Sequence, residues 1–252
     1  MLLLIDAGNT RIKWALAALD AQPGHWCASG ALTHAEIDTL PATLAGALAG
    51  AGAAQCGTAA RAIVSNVAGQ AMRERLAPML PAGDIEWFAS VAARAGLRNG
   101  YRKPAQLGCD RFAAAIGARV LAPGHALIVA TCGTATTVDA VSADGVFIGG
   151  MILPGLGLMA ASLARGTAQL PQIEADAPLP AGFADNTDDA IVAGCLAAQA
   201  GAIERACALH GAAACLVSGG AARFIAPALS VPHRIVDNIV LIGLHAAATT
   251  TG

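Results

Sequence analysis

The sequence predicts an α/β protein built from two similar halves. Each half begins with an apolar strand, a polar turn and a second strand, at residues 2–17 and 126–141. Strand and helix patterns then alternate, which predicts mixed sheets covered by helices. The 252 residues suit two domains of roughly 100–150 residues. We therefore expect two α/β domains, residues 1–120 and 121–252, each with a mixed five-stranded sheet flanked by helices.

The first half starts as a strand meander and continues as alternating helix and strand. The polar stretch Gly96–Leu107 predicts a functional loop, and Pro123-Gly124 ends the helix after it. The predicted strands are residues 2–7, 12–17, 26–32, 62–66 and 85–89, and the predicted helices are residues 35–49, 70–79 and 110–121.

The second half repeats this plan. Ala143-Asp144-Gly145 predicts a hairpin turn, and the three prolines of Pro171–Pro180 predict a mobile segment. The predicted strands are residues 126–130, 136–141, 146–153, 214–218 and 234–236, and the predicted helices are residues 158–165, 188–210, 222–228 and 239–249.

A polar turn follows the first apolar strand, between Asp6 and Lys13. A carboxylate, backbone N–H groups, the side chains of Asn9 and Thr10 and a lysine converge there. Such a group of donors and charges suits a phosphate chain with its magnesium ion. The alternative is an ordinary hairpin, because Gly8-Asn9-Thr10 is also favourable turn chemistry.

A related block, Thr131–Asp139, follows the apolar strand Leu127–Ala130. Its glycine and small hydroxyls would let a phosphate approach the backbone and accept hydrogen bonds. Threonine-rich strands also arise from β-propensity alone. The recurrence of strand, glycine, hydroxyl and strand nevertheless indicates two related halves.

Composition excludes several classes of function. A net charge of −2 and scattered basic residues indicate no nucleic-acid partner. Seven cysteines without a Cys-x-x-Cys pair argue against a disulfide framework or a zinc site. Gly145–Ala164 is long enough to span a membrane, but Pro154 and five glycines favour a buried strand, Val146–Ile152, followed by a helix. Asp6 interrupts the first apolar run, so we expect no signal peptide, no membrane partner and a cytoplasmic location.

The order of short motifs resembles that of the type III pantothenate kinases, in the superfamily of acetate and sugar kinases, actin and the heat-shock chaperones. The resemblance implies two ribonuclease-H-like domains around an ATP cleft and a homodimer. It also implies transfer of the ATP γ-phosphoryl group to pantothenate, the first step towards coenzyme A. The matching pieces are Asp6–Lys13, Asn99–Tyr101, Gly108–Arg111, Gly133–Thr137, Asn186-Thr187 and Ser218–Ala221.

The resemblance also implies roles for individual residues. Asp110 would be the general base, and Thr187 would reach the substrate pocket of the partner subunit. By its charge alone, the Asp6 carboxylate suits Mg²⁺ held through water. The ATP-binding residues would be Asp6, Gly8, Asn9, Thr10, Lys13, Thr134, Gly219 and Gly220, and the pantothenate-binding residues Tyr101, Gly108, Cys109, Asp110, Arg111 and Thr187.

For two of these residues the sequence leaves a plain alternative open. Asp110 and Thr187 each stand where a helix begins, so either could simply be a helix N-cap. Arg111 favours a site at Asp110, because a cation in the first helical turn is opposed by the helix dipole and prefers an anionic partner.

One position departs from the family pattern. Thr131 stands where many members have an aspartate that binds an activating monovalent cation. A neutral hydroxyl is a poorer ligand than a carboxylate, so the sequence leaves dependence on K⁺ or NH₄⁺ open.

Two alternative functions and one competing motif remain. The chain could phosphorylate another small hydroxy acid, or it could be a catalytically weak regulatory protein that binds ATP. Gly155–Ala160 fits a dinucleotide-binding pattern, but its strand belongs to a hairpin rather than a βαβ unit. We interpret these glycines as sites of close packing.

Overall fold

The computed structural model describes residues 1–51, 59, 61–166 and 182–250. These residues form two compact units. The first contains residues 1–123, 145–147 and 238–252, and the second contains residues 124–144 and 148–237. The predicted mobile segment Pro171–Pro180 lies outside the described residues. The domain boundary between residues 120 and 121 stays a prediction.

The first unit contains a mixed five-stranded sheet in the order β3-β2-β1-β4-β5. The first three strands form an antiparallel meander, and β4 and β5 continue the sheet in parallel from β1. This arrangement confirms the predicted sheet. The strands are β1 (Leu2–Ala7), β2 (Arg11–Ala17), β3 (Ala28–Thr33), β4 (Arg61–Asn66) and β5 (Ile85–Trp87).

Helices cover this sheet and bury its apolar side chains. The helices are α1 (Leu40–Gly50), α2 (Gln70–Leu76) and α3 (Cys109–Leu121). Leu3 and Ile5 of β1 and Leu40 and Leu44 of α1 lie in one core cluster. Burying such side chains is the main driving force for this layer to form.

The stretch predicted as a functional loop contains regular structure. Two short strands, β6 (Ala93–Arg94) and β7 (Leu97–Asn99), form a hairpin, and residues 104–106 form a 3₁₀ turn. Strand β7 pairs with Val146 and Phe147. A pairing with residues almost 50 positions away has no local pattern, so the sequence did not predict it.

The other sheet has seven strands, in the order β12-β11-β8-β9-β10-β7-β6, where the sequence predicts five. Strands β8 and β9 are antiparallel, and β11 lies parallel to both β8 and β12. The predicted mixed sheet and the hairpin turn at Ala143–Gly145 are confirmed. The elements are β8 (Leu127–Cys132), β9 (Ala135–Val141), β10 (Val146–Pro154), α4 (Leu156–Gly166), α5 (Thr187–His210), β11 (Ala214–Ser218), α6 (Ala222–Ile225) and β12 (His233–Ile235).

Strand β10 is more exposed than the sequence predicts. Ile148, Met151 and Ile152 are 51%, 37% and 65% exposed. Gly145–Ala164, which is long enough to span a membrane, contains strand β10 followed by helix α4, as the sequence predicts. Among the described residues, α5 is long and apolar enough to cross a bilayer. A core helix passes the same test, and one face of α5 packs into the core of the second unit.

The terminal helix α7 (Ile239–Thr249) belongs to the first unit. A Cβ atom on Gly243 would lie 1.7 Å from the Ala113 carbonyl oxygen, and one on Gly117 would lie 2.4 Å from that of Ile239. Helices α3 and α7 therefore cross with their backbones in contact, which requires glycine on both. This close crossing fixes α3, whose first turn contains Asp110.

Candidate active site

The turn between β1 and β2 places Asp6 and Lys13 opposite each other on neighbouring strands. Burial raises the pKa of Asp6 from 3.8 to about 7, the charge of Lys13 opposes that shift, and the charge of Asp110 adds to it. The Gly8 N–H donates to the Arg11 carbonyl at 3.1 Å and closes the turn. A half-buried acid facing a lysine is more than an ordinary hairpin needs.

The exposed tip of this turn consists of Asn9 and Thr10. Both side chains can donate hydrogen bonds, and Lys13 behind them is half-buried. The predicted phosphate ligands of the first unit therefore come from a single turn.

Asp110 lies in the first turn of α3, but it is not the N-cap. Gly108 is the N-cap, and Asp110 Oδ1 accepts a hydrogen bond from the Arg111 N–H at 2.8 Å. Burial raises the pKa of Asp110 above its ordinary value, and the N–H and charge of Arg111 oppose this shift. Because the charge of Asp110 also acts on Asp6, the two acids belong to one electrostatic environment.

The absence of a side chain at Gly108 leaves space for the Asp110 carboxylate. A Cβ atom at position 108 would lie 2.6 Å from Asp110 Oδ1, far inside ordinary van der Waals contact. Glycine at this position therefore allows the orientation of the acid.

Arg111 and Tyr101 form the predicted substrate side of the site. Arg111 is 7% exposed, and its Nη1 donates to Tyr101 Oη at 2.9 Å. Its guanidinium lies 5.6 Å from the Phe147 ring centre, and Phe147 meets Tyr101 edge to face at 5.6 Å. Two aromatic rings thus hold the arginine in one orientation.

Gly100 permits this arrangement. Its N–H donates to the Phe147 carbonyl at 2.9 Å, and a Cβ atom there would lie 2.5 Å from that oxygen. The sequence grouped Gly100 with Tyr101 but gave no signal for Phe147, because the pairing of β7 with β10 brings that ring to the site.

Cys109 faces the sheet of the first unit. Its Sγ lies 3.5 Å from Ser65 Oγ and 3.6 Å from the Asn66 carbonyl oxygen at the end of β4. Burial raises the pKa of this thiol, so it stays protonated at neutral pH. Its predicted contact with substrate stays a prediction.

In the second unit, Thr134 lies in the turn between β8 and β9 and beside Gly155. The Gly155 N–H donates to the Thr134 carbonyl at 2.9 Å. A Cβ atom on Gly155 would lie 2.1 Å from the Gly133 carbonyl oxygen. The first glycine of the dinucleotide-like motif is therefore required by close packing under this turn.

Gly219 and Gly220 follow β11 in the same unit. Gly219 has a φ of +98°, and its Cβ position lies 2.3 Å from the Cys132 carbonyl oxygen. Gly220 has no heavy atom within 4 Å of its Cβ position. The 218–221 turn and the Thr134 turn therefore both lie against the end of β8.

Thr187 is exposed at the first position of α5, and its alternative as a helix cap is wrong. The cap is Asn186, whose side-chain oxygen accepts from the Asp189 N–H at 3.0 Å. Thr187 is thus left for another role.

His34 is a residue that sequence reasoning did not connect with the site. Its Nε2 lies 2.9 Å from the Gly8 carbonyl oxygen, across 26 residues of sequence. No local pattern could have indicated this contact.

The donor set bears on which metals fit. The described residues contain no group of three or more His, Cys, Asp or Glu side chains that could hold a metal ion. Mg²⁺ in phosphotransferases typically uses one or two carboxylates, substrate phosphates and water. Asp6 beside a phosphate-type turn suits that mode.

Enzymes that transfer phosphoryl groups from ATP use donors around the phosphates and a positioned carboxylate. The two glycine-containing turns and the half-buried acids Asp6 and Asp110 supply groups of these kinds. The sequence profile of the type III pantothenate kinases matches residues 2–209. The chain belongs to the type III pantothenate kinase family, which confirms the resemblance drawn from its motifs.

Individual relatives agree with this assignment. A type III pantothenate kinase from Herminiimonas arsenicoxydans is 55% identical over 264 residues, covering 100% of this chain and 98% of that protein. One from Janthinobacterium sp. (strain Marseille) is 55% identical over 263 residues, covering 98% and 97%. The fold is similar to that of the activator of 2-hydroxyisocaproyl-CoA dehydratase from Clostridium difficile with bound ADPNP. The TM-score is 0.56 at 14% identity, covering 98% of this chain and 92% of that one.

Proposed function

We propose that this protein uses ATP to phosphorylate pantothenate to 4′-phosphopantothenate, the first step of coenzyme A biosynthesis. Relatives named type III pantothenate kinase match it over nearly the whole chain at 55% identity. The single structural observation that supports the reaction is the placement of Asp110 beside the Arg111–Tyr101 pair. Asp110 would then contact the hydroxyl end of pantothenate, and Arg111 with Tyr101 would contact its carboxylate end.

Asp110 acts on the nucleophile. Its raised pKa makes the carboxylate a better proton acceptor than an exposed aspartate, and a general base contributes about 10²–10⁴-fold to a rate. The pantothenate hydroxyl gives its proton to the Asp110 carboxylate, and its oxygen forms a bond to the γ-phosphorus. The bond from that phosphorus to the β–γ bridging oxygen breaks, and ADP leaves with the electron pair.

Arg111 and Tyr101 bind the pantothenate carboxylate. A guanidinium and a phenol presented together offer directional donors for one anionic group, and hydrogen bonds to charged acceptors are the stronger ones. The rings of Tyr101 and Phe147 hold the guanidinium. Little side-chain entropy is therefore lost when substrate binds.

The ATP phosphates bind to Asn9, Thr10 and Lys13 of the first unit. In the second unit we assign Thr134 to phosphate and the open face of Gly220, next to Gly219, to adenine. Mg²⁺ would be held by Asp6 in part through water, and when bound it neutralises charge on the phosphates.

The chemistry is tested by following 4′-phosphopantothenate by mass spectrometry with ATP, Mg²⁺ and pantothenate. The Asp110→Asn variant keeps the size of the side chain, so it should bind ATP normally and lose at least about 100-fold in kcat. ATP turnover that is independent of pantothenate would favour another acceptor. A folded protein that binds ATP without turnover would favour the regulatory alternative.

We further propose a homodimer in which Thr187 completes the partner's pocket. Five exposed apolar side chains of β10 and α4 in the second unit support an interface between two copies. They are Ile148, Met151, Ile152, Leu158 and Leu163. Light scattering of the wild type and of Ile152→Asp tests the dimer, since the charged variant should be monomeric.

Mixed dimers test the role of Thr187. Asp110→Asn and Thr187→Ala subunits are each inactive in their homodimers under this proposal. Statistical re-association gives heterodimers with one intact site, so about a quarter of wild-type activity should return. No recovery on mixing would show that Thr187 acts within its own subunit.

We also propose that a monovalent cation binds here through neutral hydroxyl oxygens in place of the family's aspartate. Thr131 and Thr137 pair across β8 and β9, and both hydroxyl oxygens are buried without a hydrogen-bond partner in the described part of the chain. Such oxygens can coordinate K⁺ in place of water, as carbonyl oxygens do in ion channels. Thermal stability and product formation in sodium, potassium and ammonium test this. The cytoplasmic location stays a prediction that cell fractionation can check.

A further inference from the structure

The carbonyl oxygen of Gly8, in the turn assigned to ATP phosphates, has a partner from a distant segment. His34 Nε2 lies 2.9 Å from it. A carbonyl oxygen only accepts, so the imidazole proton is on Nε2 and His34 donates. The contact ties the 3₁₀ helix that follows β3, His34–Thr39, to the tip of the first hairpin.

His34 is held firmly at its own end. Thr33 pairs with Arg11 across β3 and β2. Its N–H and hydroxyl both donate to Glu36 Oε2, each at 2.8 Å. These contacts fix the start of the 3₁₀ helix, so the imidazole is presented to the Gly8 carbonyl from a rigid base.

The consequence for the turn follows from peptide geometry. In a trans peptide the carbonyl of one residue and the N–H of the next point in opposite directions, and none of the described peptide bonds is cis. The bond to His34 therefore also fixes the direction of the Asn9 N–H. Since the Gly8 N–H is already bonded to Arg11, the Asn9 N–H is the backbone donor that this contact orients.

The Gly8 peptide needs a contact to hold its orientation. A glycine peptide rotates more freely than any other, and the exposed tip at Asn9 offers little packing to hold it. Without a partner, the Gly8 carbonyl could turn to the side where the phosphates would bind and repel them.

We propose that His34 is a positioning residue for the ATP phosphates, because it holds the Gly8–Asn9 peptide with the Asn9 N–H available to them. This inference rests on the proposed function of that turn. Loss of His34 should weaken ATP binding about tenfold, the usual size for a misdirected hydrogen bond to a charged group, and leave the KM for pantothenate within about twofold.

Binding of Mg–ATP to His34→Ala, His34→Gln and His34→Asn tests the inference by calorimetry, beside steady-state KM values and the melting temperature. Glutamine can place an amide N–H near the imidazole Nε2 position and should restore ATP affinity. Asparagine is too short and should not. His210→Ala is the matched control, because His210 Nε2 makes the same 2.9 Å contact with a carbonyl, that of Val141 in the second unit.

Weaker ATP binding in the alanine and asparagine variants, with glutamine and the His210 control near wild type, is the expected result. Equal ATP affinity in all variants would overturn the inference while leaving the kinase intact. So would equal weakening of ATP and pantothenate with a lowered melting temperature, which indicates a purely structural role. If the wild type binds no Mg–ATP, the proposed function itself is wrong, and the inference is overturned with it.

Discussion

Replacing Gly108 by alanine should damage catalysis without damaging the fold. Gly108 has φ −54° and ψ 133°, which alanine adopts without strain. The added Cβ would lie 2.6 Å from Asp110 Oδ1 and 3.8 Å from Arg111 Cδ. The only serious clash is therefore with the end of the Asp110 side chain, which can move.

The size of that movement sets the expected effect. Ordinary contact begins near 3.4 Å, so the carboxylate oxygen must retreat by about 0.8 Å, and misplacing a reacting group by 1 Å can cost about 10²-fold. We expect kcat to fall about 10- to 100-fold, with the melting temperature within about 3 °C of wild type.

A double-mutant cycle identifies the cause. If the alanine acts through the Asp110 carboxylate, adding it to Asp110→Asn should change kcat little further, because the group it displaces is already disabled. Gly46→Ala is the control, since Gly46 in α1 has no atom within 4 Å of its Cβ position. Independent effects of the two substitutions, or an unchanged kcat in the single variant, would refute the reasoning.

Three further predictions concern the same site. Tyr101→Phe removes the acceptor of the Arg111 Nη1 bond and should raise the KM for pantothenate about tenfold, with the KM for ATP unchanged in the same kinetic assay. Between pH 3.8 and about 7, Asp6 keeps a proton in the folded protein that it has lost in the unfolded chain. Raising the pH through this range therefore lowers the free energy of unfolding of the ligand-free protein. In urea unfolding, the decrease in the free energy of unfolding from pH 5 to pH 7.5 should be smaller for Asp6→Asn than for the wild type. Gly155→Ala should displace the Thr134 turn, because its Cβ would meet the Gly133 carbonyl at 2.1 Å; both the melting temperature and ATP affinity should fall.

The sequence was most informative where a pattern is local. The apolar runs before Asp6 and Thr131 predicted β1 and β8 together with their turns, because a buried strand and a glycine turn leave signals within about ten residues. Most boundaries differ by one to three residues, since helix and strand ends depend on caps and pairing. The predicted helix 35–49 differs more, because residues 34–39 form a 3₁₀ helix and α1 starts only at Leu40. The order of the motifs then gave the family.

Contacts between distant segments were beyond the sequence. The bond from His34 to Gly8 and the ring of Phe147 beside Arg111 both depend on strand pairing. The exposed apolar side of β10 was likewise interpreted as buried, because an apolar strand has the same composition whether it meets its own core or another copy of the chain.

The glycines show how a motif can be correct for a different physical reason. The resemblance assigned Gly108 and Gly219 to ligand contact, yet a Cβ at 108 would meet Asp110 and one at 219 would meet the Cys132 backbone. Both are needed before any ligand arrives, because they allow the protein's own atoms to approach. Gly220, with open space around its Cβ position, is the one of these three whose missing side chain leaves room for a ligand. A glycine motif in this fold therefore specifies the shape of the turn first, and the ligand contact follows from that shape.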